Sequence, residues 1–275
     1  MKKKPLVSVI ITTRNEEKNI KTCLESIKAQ LYQNLEIIVV DNNSTDKTKN
    51  ISKSFTKKIF NKGPERSVQR NYGVKKSNGE YVLILDADMK LSKRVVSDCV
   101  NIIQKENVGG VIIPEESYGI GFWAQVKKLE RSFYVGNDLI EAARFFPKNM
   151  FNDVGGFDES ITGPEDWDLS QRVKDKYGLT RIHSFIYHNE GKLTFWKTVG
   201  KKYYYAKKVN QYTKKSINKD VSKTQFSLIN RYKTFLQKPG KLFRDPVLGL
   251  GVLILKTAEF IAGGLGFLNS KYVKS

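Results

Sequence analysis

Five short strand-like runs, the third weaker than the others, alternate with amphipathic stretches along the first 115 residues, and that alternation leaves few architectures open. The runs are Leu6–Thr13, Leu35–Asp41, Lys57–Phe60, Tyr81–Asp86 and Val108–Pro114, separated by helix-like segments at Glu16–Ala29, Thr45–Phe55, Ser67–Ser77 and Lys93–Lys105. A run as short and unbroken as Tyr81–Leu85 suits a strand buried on both faces, as in a parallel sheet. Strand and helix in alternation predict βαβ units, hence a sheet covered by helices. Asn15 and Asn42–Asn43–Ser44 stand where the first two helices should begin, as side chains that cap helix N-termini. Gly79 is expected to close the third helix before the next strand.

Three strand ends are polar: Thr12–Thr13–Arg14–Asn15, Asp41–Asn42–Asn43 and Asp86–Ala87–Asp88. In open α/β sheets the C-terminal strand edge is where ligands bind, so this edge reads as a ligand site. Residues two apart on an extended chain point the same way, so Asp86 and Asp88 are placed to share one hard divalent cation that holds a diphosphate. The plainer reading of the same residues is a helix start, with Ser92 capping a helix at 93–105.

At 275 residues, with 40% hydrophobic and 11% aromatic content, the chain is long and apolar enough for a substantial core, which excludes a disordered class. The two cysteines, Cys23 and Cys99, fall in helix-like segments, against a disulfide framework and for a reducing compartment. Met-Lys-Lys-Lys-Pro at the start lacks the features of a signal peptide, so a cytoplasmic location is expected. The formal net charge is +20, and residues 191–245 hold fifteen Lys/Arg against two acids, a net +13. Such a block predicts an anionic partner unless it is simply a solvated lysine-rich surface.

Taken in order, Val7–Glu16 (VSVIITTRNE), Glu36–Asp46 (EIIVVDNNSTD), Gln69–Gly73 (QRNYG), Gly79–Asp88 (GEYVLILDAD), Gly155–Glu159 (GGFDE) and Glu165–Leu169 (EDWDL) resemble family 2 glycosyltransferases of the GT-A fold over about residues 6–190. The resemblance implies an α/β fold with a mixed, mainly parallel Rossmann-like sheet. It also implies inverting sugar transfer from a nucleotide-sugar, UDP-linked before GDP-linked, to an acceptor hydroxyl. The site it implies takes in Thr12, Thr13, Arg14, Asn15, Glu16, Asp41, Asp86, Ala87 and Asp88, with Thr12 and Asp41 at the nucleoside and Asp86 near the ribose. Arg66 and Arg70 both fall where the family places an arginine against base or phosphate. Asp88 is the implied ligand of Mg²⁺ or Mn²⁺, Asp166 the implied general base, and Glu165 positions the acceptor or metal-bound groups. A nucleoside diphosphate leaves without protonation when a cation absorbs its charge, so one basic carboxylate suffices for the acceptor.

His188, in Tyr-His-Asn-Glu-Gly, is either a second metal ligand, as in some relatives, or a structural or phosphate-bound histidine. His183 reads as structural within a strand-like Thr180–Tyr187, Trp167 as packing under the Glu-Asp pair, and Gly155–Gly156–Phe157 as a positioning turn. Residues 115–190 are less regular and are expected to complete the site in a domain spanning 1–190.

Residues 191–275 are expected to form a helical basic and amphipathic extension. Aromatic and apolar residues from Phe195 to Tyr212, Val209 among them, recur at helical spacing, and Pro239–Gly240 breaks that pattern. The last apolar stretch, Val247–Leu268, has about the 20 residues needed to cross a bilayer. Lys256 and Glu259 in its middle would each cost about 2.5–3.5 kcal/mol on insertion. A surface-lying helix or a re-entrant hairpin at an anionic membrane face therefore fits better than a span. Two further readings remain: a polyprenyl-phosphate sugar synthase, against which the Glu165–Asp166 pair argues, and a nucleic-acid binder using the basic block with Tyr203–Tyr205, which leaves the three polar strand ends unexplained.

Overall fold

The computed structural model describes residues 4–206, 212–213, 215 and 219–272. Its elements begin with β1 (Val7–Thr13), α1 (Ile20–Lys28), β2 (Leu35–Asp41), α2 (Thr48–Lys53), β3 (Ile59–Asn61), α3 (Arg66–Lys76), β4 (Tyr81–Asp86), β5 (Met89–Leu91) and α4 (Val95–Glu106). They continue with β6 (Gly110–Ile112), β7 (Glu115–Ile120), α5 (Phe122–Ser132), β8 (Ala143–Pro147), α6 (Lys148–Asp153), α7 (Glu165–Tyr177), β9 (Leu179–Arg181) and β10 (Ile186–Lys192). The last helices are α8 (Phe195–Ala206), α9 (Lys219–Gln225), α10 (Leu228–Leu236), α11 (Pro239–Leu242) and α12 (Pro246–Tyr272). The chain forms two compact units, the first made of residues up to Pro114, Ala142–Glu159 and Asp166–Asn189, the second of Glu115–Glu141, Ser160–Glu165 and the residues from Glu190 onward.

The first unit is built on a seven-stranded sheet of order β3-β2-β1-β4-β8-β6-β9. Strands β3, β2, β1 and β4 run parallel, β6 and β9 are parallel to each other, and β8 is antiparallel to both β4 and β6. Alternate residues of each central strand enter opposite layers. Val7, Val9, Ile11, Leu83 and Leu85 pack with α1 and α4, whereas Ile10, Val82 and Ile84 pack with Val74 of α3 and Leu169 and Val173 of α7. Burial on both faces removes each such side chain from water, worth roughly 1.5–3 kcal/mol apiece, and explains why β4 reads as an unbroken apolar run. Because β1 lies between β2 and β4, successive crossovers leave it in opposite directions, making a switch point at its C-terminal end. The register pairs Thr12 with Asp86 and Thr13 with Asp41 there, so the polar strand ends meet.

Local signals were less faithful than the sheet. Asn15 is not a helix cap: it sits at φ +54°, and its side chain accepts a hydrogen bond from the Thr45 amide at 2.8 Å, tying two loops together. Helix α1 begins only at Ile20, and α2 begins at Thr48, whose amide donates to Asp46. Ser92 accepts from the Phe185 amide instead of capping α4. Gly79 stands in β4's approach for a different reason than a helix stop. A Cβ there would lie 2.4 Å from Ser8 Oγ and 2.8 Å from the Leu6 carbonyl, so only glycine admits this close crossing.

The second unit has its own core, in which Val126 of α5, Phe133, Tyr134, Phe235 of α10, Leu242, Val252 and Leu255 of α12 are buried together. Pro239 occupies the first turn of α11, so the expected break is realised as a new helix start. Val209 lies outside the described residues, as do Lys207, Lys208 and Lys214 of the basic block. Helix α12 runs without interruption, which overturns the re-entrant hairpin. Its glycines serve close packing: a Cβ on Gly266 would lie 2.4 Å from the Tyr203 carbonyl, and one on Gly251 2.7 Å from Val126. Lys256 and Glu259 are both buried against α5, where Lys256 pairs with Glu130 and Glu259, and Lys127 pairs with Glu130 at 2.8 Å and Glu259 at 3.5 Å.

Candidate functional site

The C-terminal ends of β1, β2 and β4 carry the site, and a buried arginine organises it. Helix α3 projects Arg70, fully buried, toward this edge, where Nη2 donates to both oxygens of Asp86 at 3.0 and 3.2 Å and Nη1 donates to Asp166 Oδ1 at 2.7 Å. Phe157 supports the guanidinium from its face, 5.0 Å from ring centroid to Cζ. Asn71, the next residue of α3, binds the Phe157 backbone through both amide atoms, at 2.8 and 2.9 Å. Gly155 and Gly156 adopt φ +81° and +65° in that loop, a conformation open to glycine, so this turn positions its neighbours as the sequence implied.

Asp86 and Asp88 do not share an environment. The strand ends at Asp86, and Ala87–Asp88 form a turn, so the alternation that would align the two carboxylates is lost. Asp86 accepts from Thr12 Oγ1 at 2.7 Å, with Arg66 also near, at 3.9 Å. Burial alone would raise this carboxyl, but the charges of Arg70, Arg66 and Arg144 and the Thr12 hydroxyl outweigh it and hold the group well below the usual carboxylate range. Asp88 turns instead to β10: its Oδ2 is 3.1 Å from His188 Nε2, and its backbone carbonyl accepts from the Asn189 amide at 2.8 Å. The other oxygen, Asp88 Oδ1, is buried and accepts no hydrogen bond from the described residues.

A buried carboxylate oxygen without a donor is a costly arrangement unless a cation takes it. Beside an imidazole nitrogen, it forms a mixed oxygen–nitrogen donor pair that suits Mn²⁺ or Mg²⁺ completed by phosphate and water. Among the described residues no group of three or more His, Cys, Asp or Glu side chains converges as a full metal cage. Asp88 and His188 therefore fit a shared metal–diphosphate site and not a metal held by protein alone.

Asp41 is fully buried, accepting from the Ser44 amide at 2.8 Å and hydroxyl at 2.5 Å, with Lys49 Nζ at 3.3 Å. Asn15 continues this brace, its amide donating to Ser44 Oγ at 2.8 Å. Gln69, missed in the sequence, reaches the backbone carbonyls of Thr13 at 3.2 Å and Val40 at 2.7 Å and pins α3 beneath the edge. Glu16 accepts from Asn19 at 2.7 Å, and Asn19 accepts from Asn189 at 2.9 Å, so one polar chain links the β1 loop to the strand carrying His188. Burial raises the Glu16 carboxyl and the charges of Asp88, Asp86 and Asp46 raise it further, against the Asn19 hydrogen bond. Asn19 and Asn189 gave no sequence signal, because their partners are far apart in the chain. Arg14 and the side chain of Arg66 are exposed at this edge. Thr13 is buried, Ala87 is buried in the turn, and His183 lies between β9 and β10.

Asp166 lies in the first turn of α7 with its side chain 23% exposed, its Oδ2 accepting from no described residue. Glu165 is buried and accepts from the Gly163 amide in its own loop. The structure thus brings Asp166, Arg70, Asp86 and Thr12 into one connected set, with Asp88 and His188 as a second pair adjoining it along the chain.

The profile of Glycosyl transferase family 2 matches residues 8–157, more than half of the chain. The chain is 31% identical over 182 residues to an uncharacterised glycosyltransferase of Rickettsia typhi, covering 60% of this chain and 57% of that protein. It is 33% identical over 115 residues to the GalNAc(5)-diNAcBac-PP-undecaprenol beta-1,3-glucosyltransferase of Campylobacter jejuni, covering 38% of this chain and 36% of that one. The chain thus spans under two thirds of the length of these curated relatives. Among solved structures it resembles the mannosyltransferase PcManGT of Pyrobaculum calidifontis, in complex with GDP-Man and Mn²⁺, with a TM-score of 0.70 at 16% identity over 97% of this chain and 88% of that one. The match over residues 8–157, with a seven-stranded sheet of this order, places the chain in glycosyl transferase family 2, with the GT-A fold.

Proposed function

We propose that the protein is an inverting glycosyltransferase that moves a sugar from a nucleoside diphosphate donor to an acceptor hydroxyl. The observation that carries this reading is Asp88 Oδ1, buried without a donor among the described residues, beside His188 at the switch-point edge of the sheet. Asp88 and His188 would hold Mg²⁺ or Mn²⁺, and the metal would supply charge neutralisation for the departing diphosphate. Thr12, Asp41, Arg66 and Asp86 line the donor side of the same edge. Asp166 is the general base. It takes the acceptor hydroxyl proton on Oδ2 while the acceptor oxygen bonds to the anomeric carbon and the bond from that carbon to the diphosphate oxygen breaks. Arg70 holds Asp166 by its other oxygen, fixing the carboxylate's direction without occupying the proton-accepting atom. Glu165 shapes the loop before α7 on the acceptor side.

The acceptor in this reading is a lipid-linked or surface glycan met at the inner face of the cell membrane. The undecaprenol-linked substrate in the name of the Campylobacter relative supports that class. UDP- and GDP-sugars are both candidate donors, the latter supported by the GDP-Man bound to the Pyrobaculum enzyme. A panel of UDP- and GDP-sugars with Mn²⁺ or Mg²⁺, scored by nucleoside diphosphate release with and without membrane lipids, tests the proposal. Release from no donor under any metal condition would overturn it.

A further inference from the structure

A surface helix ordinarily turns its apolar stripe inward and its charges to water. Helix α12 departs from this: it buries its charges beside Val252 and Leu255 and leaves a second apolar stripe outside. Its two central charges, Lys256 and Glu259, are 6% and 4% exposed and lie in a closed network with Lys127 and Glu130 of α5, completed by the Tyr134 hydroxyl donating to Glu130 at 2.7 Å. Within α5 and α12 two lysines and two glutamates balance, Lys202 of α8 acts on the same carboxylates, and these carboxylates raise Lys127 and Lys256 above the ordinary lysine value although burial alone would lower both. The outward stripe is Val247, Leu250, Ile254, Ile261, Leu265 and Leu268, each between 48% and 67% exposed, and the exposed positions between them are Thr257 and Gly264. No charged residue interrupts this face over the 22 residues from Val247 to Leu268, about 33 Å of helix.

The face is wider than one helix. The Tyr232 hydroxyl of α10 meets Thr257 Oγ1, and this places the exposed Leu228, Ile229 and Leu236 of α10 alongside. These residues line a shallow apolar groove together with Lys233. Beyond α10, Lys238, Lys241 and Arg244 are exposed in the connection to α12, so cations border the apolar surface at one end. Charged groups turned to the interior with an apolar exterior are the arrangement that a lipid environment selects. The bordering cations are what anionic headgroups would pair with.

We infer that the α10–α12 face of the second unit is a monotopic membrane-docking surface, lying in one leaflet of an anionic bilayer and not crossing it. This deepens the membrane-side reading above, on which it rests for its purpose, but its evidence lies in the second unit alone. The segment Pro246–Asn269 is long and apolar enough to cross a membrane. The buried network ties its inner side to α5, however, and α5 and α8 expose Lys128, Lys197 and Lys201, which no hydrocarbon core would accept without penalty.

The test is co-sedimentation of the full chain with vesicles of phosphatidylcholine, alone or mixed with phosphatidylglycerol. The wild-type protein should bind the mixed vesicles, more weakly at high salt. Ile254→Glu with Ile261→Glu should weaken binding roughly tenfold or more, with unchanged melting temperature and unchanged Mn²⁺-dependent binding of nucleoside diphosphate. A fluorophore on Ile261→Cys should shift to the blue on vesicle addition, and one on Lys128→Cys should not. Vesicle binding unaffected by the double variant, or a shift at both labels, would overturn the one-leaflet surface. Absence of binding by the wild type would overturn it too, and a dimer in solution lost in the double variant would assign the face to a second copy of the chain. The nucleotide-binding measurement in the same samples separates failure of this surface from failure of the transferase reading.

Discussion

Arg70 donates to Asp166 at 2.7 Å with one guanidinium nitrogen and to Asp86 at 3.0 Å with the other, joining residues 96 and 16 positions away. One buried cation thereby ties the implied base to the donor side of the sheet edge.

That geometry makes Arg70 irreplaceable by lysine. A lysine carries a point charge and cannot present two forked donors to two carboxylates. Removing one partner of a buried charge network leaves the others uncompensated, typically at about 3–5 kcal/mol. Arg70→Met should lose stability on that scale in urea titrations, and Arg70→Lys should recover only part of it. An Arg70→Lys variant as stable as wild type and fully active would contradict the bridging role.

Acid should loosen the same site. The Asp86 carboxyl is held low in the folded state, so the unfolded chain binds more protons across the intervening window and stability rises with pH there. Its contribution is present above about pH 4, the unfolded value, and drains away as pH falls toward the folded one. Wild-type stability should therefore drop on acidification below about pH 4 more steeply than that of Asp86→Asn. Parallel curves would refute it.

Glu16 should behave in the opposite sense. Its carboxyl is raised in the folded state, by burial first and then by neighbouring aspartates. Stability contributed by the protonated form is lost as pH climbs from about 4.3 through the folded value. In metal-free buffer Glu16→Gln should raise the melting temperature by about 2–4 °C at pH 7.5 and leave it unchanged at pH 4. A gain at both pH values would point to packing and not charge.

The ion network under α12 predicts that a charge-paired change is milder than a single one. Lys256→Met alone strands buried glutamates and should destabilise by about 3–5 kcal/mol. Lys256→Met with Glu259→Leu removes one charge of each sign and should recover most of that loss. A double variant as unstable as the single would contradict the account.

The parts of this molecule that were legible from sequence are those where one strand's chemistry suffices. β2 and β4 have the expected bounds, Leu35–Asp41 and Tyr81–Asp86, because double burial leaves an apolar run that ends where the chain meets solvent. Asn15, Ser44 and Ser92 misled because their side chains find partners in other loops, and tertiary bonds of that kind outcompete local capping. Arg70 could be placed at the site by its motif, but its double bridge depends on Asp166 arriving from 96 residues away. The inward turn of the α12 charges was hidden for a similar reason: composition shows Lys256 and Glu259, and only packing against Glu130 and Lys127 shows which way they face.

The central claim is that Asp88 holds the metal through which the donor diphosphate binds, while Asp166 acts only in turnover. Calorimetric titration of Mn²⁺ and nucleoside diphosphate into wild type, Asp88→Asn and Asp166→Asn tests it most directly, with sugar transfer measured in parallel. Asp88→Asn should lose metal-dependent nucleotide binding, and Asp166→Asn should retain it while transfer falls by on the order of 10²–10⁴. Wild-type nucleotide affinity in Asp88→Asn, or wild-type transfer in Asp166→Asn, would contradict the account.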